Sequence, residues 1–137
     1  MQPADIIGTW RLVDYEIVAP DGHVSRPFGP GPFPGEAVFH PNGTIAVLLI
    51  LADPQSLRRD APATERAAAL NHCASYVARW EIKGDELHHH VLLSLIPEWT
   101  GTVQVRQAKL DGDRLTLSPP PNPKGNIMRL VWQRVPP

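Results

Sequence analysis

The uneven distribution of proline is the feature of this sequence that most restricts its fold. The chain has 16 prolines in 137 residues, whereas the usual frequency is about 5%. They cluster at positions 27–34, at positions 119–123 and at the C-terminus. Because proline cannot donate a hydrogen bond to a sheet ladder, we predict that these clusters are loops and that strands occupy the proline-poor stretches between them.

Those stretches are rich in Val, Ile, Leu, Tyr and Trp, and Asn-Gly or Asp-Gly pairs, which are typical of hairpin turns, separate several of them. Eight strands are predicted, over residues 6–18, 36–40, 44–51, 76–83, 86–99, 101–110, 114–118 and 126–135. An alanine-rich segment between the third and fourth strands predicts one helix, from about Thr64, its N-cap, to Cys73.

Consecutive antiparallel strands of this number commonly avoid exposed edges by closing into a barrel, whose interior can hold one small ligand. We therefore predict an all-β fold, an eight-stranded antiparallel up-and-down barrel with one helix inserted between strands three and four. Residues 1–137 are expected to form a single domain, because this length is sufficient for one continuous core.

Charge and hydropathy argue against several classes of partner. The formal net charge is −1, from 14 acidic and 13 basic residues, and no basic patch of the kind that nucleic acid requires is present. No apolar run approaches the roughly 20 residues of a membrane span, and the N-terminus lacks the pattern of a signal peptide. With Cys73 as the single cysteine, we expect a cytoplasmic protein. Residues 44–51 are apolar on both faces, so we expect either that their outer face is covered or that they contribute to a homodimer interface.

The two faces of the strand predicted over residues 86–99 differ in chemistry. One face contains Leu87, His89, Val91, Leu93 and Leu95, and the other contains Glu86, His88, His90, Leu92, Ser94 and Ile96. The first face is apolar apart from its histidine. On the second, an imidazole and a hydroxyl stand among aliphatic groups, as in a cavity wall. We therefore expect His90 and Ser94 to point into the barrel.

Five residues are predicted to contact a ligand: His90, Ser94, Trp99, Gln104 and Arg106. His90 and Ser94 would lie beside Gln104 and Arg106, because the chain folds back through residues 99–101. Trp99 would lie at the mouth of the cavity. Arg106 would hold an anionic or carbonyl oxygen, and His90 would exchange a proton near neutral pH. The alternative for Arg106 is a structural ion pair with Asp14 or Glu16 across the barrel.

The run His88-His89-His90 raises the question of a metal site. Only His88 and His90 share a face of the strand, so it supplies at most two ligands, whereas a tetrahedral zinc site needs three or four. We therefore predict no metal and no cofactor, and treat these histidines as hydrogen-bonded or exposed groups.

Several motifs resemble, in order, the small bacterial and fungal lipocalin-like domain family. They are GTWRLVDYE, RPFG, FHPNGTIAV, SYVARWEI, HHVLLSLIPEWTGTVQVR, LDGDRLTLSPPP and RLVWQR, and they cover nearly the whole chain. The resemblance implies that Trp10 of the Gly-x-Trp motif packs at the closed end of the barrel beneath an arginine of the last strand. Arg134 fits that partner best, with Arg129 as the alternative. In the family pattern Tyr-x-Gly-Arg-Tyr, this chain has Ala78 and Trp80 at the glycine and second tyrosine, and Leu92 replaces the family's acidic residue between His90 and Ser94.

Three functions are compatible with these residues. The first is binding of a small, largely apolar or aromatic molecule bearing a carbonyl, phenol or carboxylate inside the barrel. The second is catalysis on the same scaffold by an isomerase, cyclase or dehydratase of a secondary metabolite, with His90 as acid–base and Arg106 stabilising an enolate. The third is haem or metal binding through the histidine run. The fold by itself does not choose between them.

Overall fold

A computed structural model describes all residues from 1 to 137 and contains nine β-strands. Strands β1 to β9 are Gly8–Val18, Val24–Ser25, Gly35–Phe39, Thr44–Ile50, Cys73–Lys83, Glu86–Ser94, Val103–Asp111, Arg114–Ser118 and Ile127–Arg134. Two α-helices, α1 at Pro3–Ile6 and α2 at Ala63–Leu70, and two short 3-10 helices, at Pro54–Leu57 and Pro97–Trp99, lie between them.

The strands form one closed antiparallel barrel. Each of β3 to β8 pairs with the strand that follows it, β1 pairs with β3, and β1 also pairs with β9, which joins the two ends of the sheet. The two-residue strand β2 lies outside this ring, against Ile17 and Val18. The predicted eight-stranded antiparallel barrel is therefore confirmed, and closure leaves no long edge unpaired.

The helices differ from the sequence-based expectation in their ends. Helix α2 begins after Pro62 and has no side-chain cap, so Thr64 lies within the helix instead of capping it. It also ends at Leu70, because Cys73 already pairs with Ile50 in the sheet. Helix α1 was not predicted. No helix combines the length and the apolar character needed to cross a bilayer.

A β-bulge in β6 changes which side chains face the interior. Val77 of β5 pairs with Leu93, whereas the next residue, Ala78, pairs with Val91, so Leu92 is an extra residue without a partner. Such a bulge reverses the alternation of the strand beyond it. Leu87, His89 and Val91 are accordingly buried, whereas Leu93 and Leu95 are 60% and 75% exposed. The apolar face predicted for residues 87–95 therefore ends at the bulge.

One end of the barrel, here called the closed end, is filled by side chains. Its fully buried residues are Ile6, Trp10, Leu12, Phe39, Leu87 and Leu115. The Trp10 indole donates to the carbonyl of Ile6 at 2.9 Å, and the Arg134 guanidinium lies 4.3 Å from the centre of the Trp10 ring. Arg134 also donates to the carbonyls of Ile7, at 3.1 Å, and Asp5. The predicted Trp10–Arg134 contact is thus present, and it holds α1 against the barrel.

The first proline cluster forms a loop, residues 26–34, that packs against β1. The register of β1 shifts between Leu12 and Asp14, and the Phe33 amide donates to the Leu12 carbonyl at 3.1 Å. A Cβ atom on Gly31 would lie 1.9 Å from the Val13 carbonyl oxygen. Only glycine therefore permits this close backbone approach.

Strand β4 contains most of the residues from which a homodimer is predicted. Ile45 and Val47 face the core, and on the outer face Leu48 is 51% exposed. An exposed leucine on this strand is compatible with the dimer expected from residues 44–51, which remains a prediction.

Replacing Arg134 by alanine should destabilise the barrel. The change removes a cation–π contact and two hydrogen bonds to carbonyls from a charged group, so we expect the free energy of unfolding to fall by about 2–3 kcal/mol. Urea denaturation would measure the loss. Arg114→Ala, at an exposed position of β8, is the matched control and should change stability by under about 0.5 kcal/mol. Equal stability of the two variants would contradict the role given to Arg134.

Candidate functional site

A cavity of about 610 Å³ occupies the barrel beyond the closed end. None of the six residues that fill the closed end lines it, and 18 of its 25 lining residues are hydrophobic. Four polar side chains from β5, β6 and β7 are part of its wall: Tyr76, His89, Gln104 and Arg106. No aspartate or glutamate lines the cavity. The wall is therefore apolar with one positively charged group.

Arg106 reaches the interior because it lies opposite the fully buried Leu87 in the pairing of β6 with β7. Its Nη1 donates to the Val105 carbonyl at 2.9 Å, and its Nη2 donates to the Gln104 side-chain oxygen at 3.4 Å. No carboxylate forms an ion pair with it, and its remaining N–H groups have no protein acceptor. Desolvation lowers the pKa of Arg106, but an arginine remains charged at neutral pH.

The structural ion pair considered for Arg106 is absent. Asp14 pairs with Arg26 at 3.1 Å, and Glu16 pairs with both Arg26, at 3.0 Å, and Arg129, at 2.9 Å. These acidic residues therefore interact with other arginines, and the expectation that they neutralise Arg106 is wrong.

Next to Arg106, Tyr76 and His89 form a buried pair that the sequence analysis did not propose as part of the site. The Tyr76 hydroxyl lies 3.1 Å from Nδ1 of His89, and Nε2 of His89 is buried without a hydrogen-bond partner. Burial, and then the nearby charge of Arg106, lower the pKa of His89 from 6.5 to about 3. Burial raises the pKa of Tyr76. At neutral pH both side chains are uncharged.

The expectation that His90 faces the cavity is wrong. His90 lies on the outer face of β6, where its side chain is 44% exposed and its Nε2 contacts Glu81 at 3.1 Å. The opposite face of β6 packs into the core through Leu87, His89 and Val91. His90 therefore cannot contact a ligand in the cavity or act on it as an acid or base.

Ser94 does not line the cavity either. The bulge at Leu92 brings it opposite Tyr76, but its hydroxyl donates to the Ser75 carbonyl at 3.3 Å and accepts from the Ile96 amide at 2.9 Å. The hydroxyl thus stabilises the end of β6. The signal that would have identified the right side chain was His89, the one polar residue on an otherwise apolar face.

Aromatic side chains contribute two sides of the cavity. Trp99, on the 3-10 helix after β6, packs edge-to-face on Tyr76 with ring centres 5.8 Å apart. Phe28, on the loop of residues 26–34, packs in the same way on Tyr15 and His72, at 5.4 and 5.2 Å. All five residues line the cavity. Of the predicted ligand contacts, the structure thus brings Trp99, Gln104 and Arg106 to one cavity.

The three consecutive histidines do not converge. Nε2 of His88 contacts Glu86 at 3.1 Å, His89 contacts Tyr76, and His90 contacts Glu81. No group of three or more His, Cys, Asp or Glu side chains is arranged to hold a metal ion. A metal site built on the histidine run therefore lacks the three or four ligands that tetrahedral zinc needs.

The chain resembles known proteins in its family and in its fold. The family model described as lipocalin-like domain matches residues 7–135. A lipocalin-like protein from Bacteroides uniformis ATCC 8492 is similar in structure, with a TM-score of 0.50, 14% identity, and coverage of 96% of this chain and 99% of that one. An uncharacterised protein from Bacteroides eggerthii DSM 20697 gives a TM-score of 0.48, 14% identity, and coverage of 94% and 98%. No curated protein matches the sequence.

The low pKa of His89 predicts a loss of stability in acid. Its pKa is about 3 in the folded protein against 6.5 for the free side chain, so between these values the unfolded chain binds the proton more readily. The contribution of neutral His89 to stability should be complete above about pH 6.5 and should fall by roughly 3–5 kcal/mol as the pH approaches 3. Urea denaturation between about pH 7 and pH 4 would measure this slope.

His89→Gln should lose this share of the pH dependence, whereas His90→Gln, on the exposed outer face, should retain the wild-type slope. The same slope in all three proteins would show that protonation of His89 is not coupled to unfolding.

Proposed function

The chain belongs to the lipocalin-like domain family, and on this basis we propose that it binds a small, largely apolar organic anion inside the barrel. The anionic oxygen would lie against Arg106 and the apolar body against the aliphatic and aromatic wall. The observation that carries this proposal is the Arg106 guanidinium, the one formal charge in a cavity without a carboxylate.

The energetics of burial support an anionic ligand. A charge that is removed from water without a partner is costly, and the cost is recovered only when an opposite charge and hydrogen bonds are supplied. The Arg106 charge has only a neutral carbonyl and a long contact to Gln104 as partners. A carboxylate would accept directly from the free N–H groups, and such hydrogen bonds between charged groups are the strong ones.

The size and composition of the cavity support a compact apolar body. A volume of about 610 Å³ lies within the range of roughly 300–1,000 Å³ that is usual for small-molecule sites. The rings of Trp99, Tyr76 and Phe28 offer aromatic edges and faces to such a molecule. We infer that an aromatic or branched aliphatic acid fits this wall better than a polar metabolite.

Binding is favoured over the enzymatic alternative by the position of His90. That alternative assigned proton transfer to His90, which lies on the outer face next to Glu81. Binding needs only a charged anchor and an apolar wall, and both are in the cavity.

Arg106→Gln should weaken binding of 2-naphthoate, used here as a probe, by about 10- to 100-fold, because the variant loses a charged hydrogen-bonding partner worth about 1.5–3 kcal/mol. Quenching of tryptophan fluorescence would report binding, since Trp99 and Trp132 line the cavity. Arg79→Gln, at an exposed position of β5, is the matched control and should bind as the wild type does.

The neutral 2-naphthamide should bind the wild type more weakly than the carboxylate and should be little affected by Arg106→Gln. Equal affinity of the wild type and Arg106→Gln for 2-naphthoate, or no saturable binding by the wild type, would overturn the proposal.

A further inference from the structure

We propose that Tyr76 is the second donor to the bound anion, and that His89 leaves the tyrosine proton free by donating its own Nδ1 proton to the tyrosine oxygen. The ligand would then be a carboxylate, with one oxygen on Arg106 and the other on Tyr76. This inference rests on the proposed binding function and specifies the chemical group that the site recognises.

The hydrogen bond between Tyr76 and His89 can be made in two ways. Either the tyrosine hydroxyl donates to Nδ1 and the proton of the imidazole is on Nε2, or Nδ1 carries the proton and donates to the tyrosine oxygen. The first arrangement leaves a buried N–H without an acceptor, because Nε2 has no partner. The second leaves a buried lone pair on Nε2.

The surroundings of His89 favour the second arrangement. Among buried backbone groups, unpaired N–H donors are rarer than under-satisfied acceptors, and by the same rule the unpartnered Nε2 should carry a lone pair instead of a proton. His89 is only 1% exposed, so solvent does not satisfy Nε2 in either case.

With the Nδ1 proton on His89, the oxygen of the Tyr76 hydroxyl accepts that bond. The hydroxyl proton then has no protein acceptor, because His89 is the only hydrogen-bond partner of this hydroxyl. Tyr76 lines the cavity together with Arg106, and the two groups are close enough for the charge of Arg106 to act on Tyr76. A neutral hydroxyl donor and a guanidinium on one wall match the two oxygens of a carboxylate. An uncharged alcohol would leave the guanidinium unpaired.

Tyr76→Phe should weaken binding of 2-naphthoate by about 10-fold or more, since a hydrogen bond to a charged group is lost, and should reduce the preference for 2-naphthoate over 2-naphthamide. Thr116→Val removes a hydroxyl from β8 that does not line the cavity and is the matched control, with an expected change below about twofold. Near-ultraviolet circular dichroism would verify that both variants are folded.

The tautomer can be measured without any ligand and without a variant. In the wild-type protein, nitrogen-15 shifts of the His89 ring should show a protonated Nδ1 and an unprotonated Nε2. The reverse pattern would overturn the inference, whether or not Tyr76→Phe folds. If Arg106→Gln weakens binding but Tyr76→Phe does not, or if Thr116→Val causes the same loss, this inference fails and the proposed function stands. If the wild type does not bind 2-naphthoate, the proposed function fails.

Discussion

The pairing of β1 with β9 is the constraint on which the rest of the molecule depends. Residues from Trp10 to Val18 bond to residues from Ile127 to Arg134, which are more than a hundred positions away along the chain. Once this ladder closes the sheet, alternate side chains of every strand must point to a shared interior. Trp10 and its neighbours fill one end of that interior, and the rest is left as a cavity. Closure thus creates both the core and the site.

Burial keeps the two titratable side chains beside Arg106 uncharged, and at His89 the charge of Arg106 adds to this effect. Arg106 keeps its charge inside an apolar wall, and that charge adds to desolvation in keeping His89 neutral. Tyr76 is buried beside them and stays protonated. The result is a wall with a positive charge but no carboxylate, and this is the environment in which we propose that an anion binds. An interior of this kind has little value for stability alone, since an unpaired buried charge is costly.

Two local irregularities in the strands shape the cavity. The bulge at Leu92 turns Leu93 and Leu95 outward, and the chain then continues into the 3-10 helix that places Trp99 against Tyr76. The irregularity near Val13 in β1 lies where Gly31 and the proline-rich loop approach the barrel. Bulges commonly re-aim side chains next to functional sites, and here they position aromatic residues on two sides of the cavity.

Eight of the nine strands and their antiparallel order follow from the sequence, because hydrophobic alternation, turn residues and proline act over a few residues. The closed barrel follows in turn, because consecutive antiparallel strands of this number avoid exposed edges by closing. The period of a strand also predicted that Gln104 and Arg106 share one face of β7, and the family resemblance favoured Arg134 over Arg129 as the partner of Trp10. The inner face of β6 was predicted wrongly, because the aliphatic residues beside His90 and Ser94 made the outer face resemble a cavity wall. The inward direction of His89 and the outward direction of His90 become clear only when the strands are paired. The same is true of the contact between His89 and Tyr76, which are 13 residues apart in sequence. The physical reason is that side-chain direction depends on the register between paired strands and on the bulge at Leu92, which the packing of the closed barrel sets.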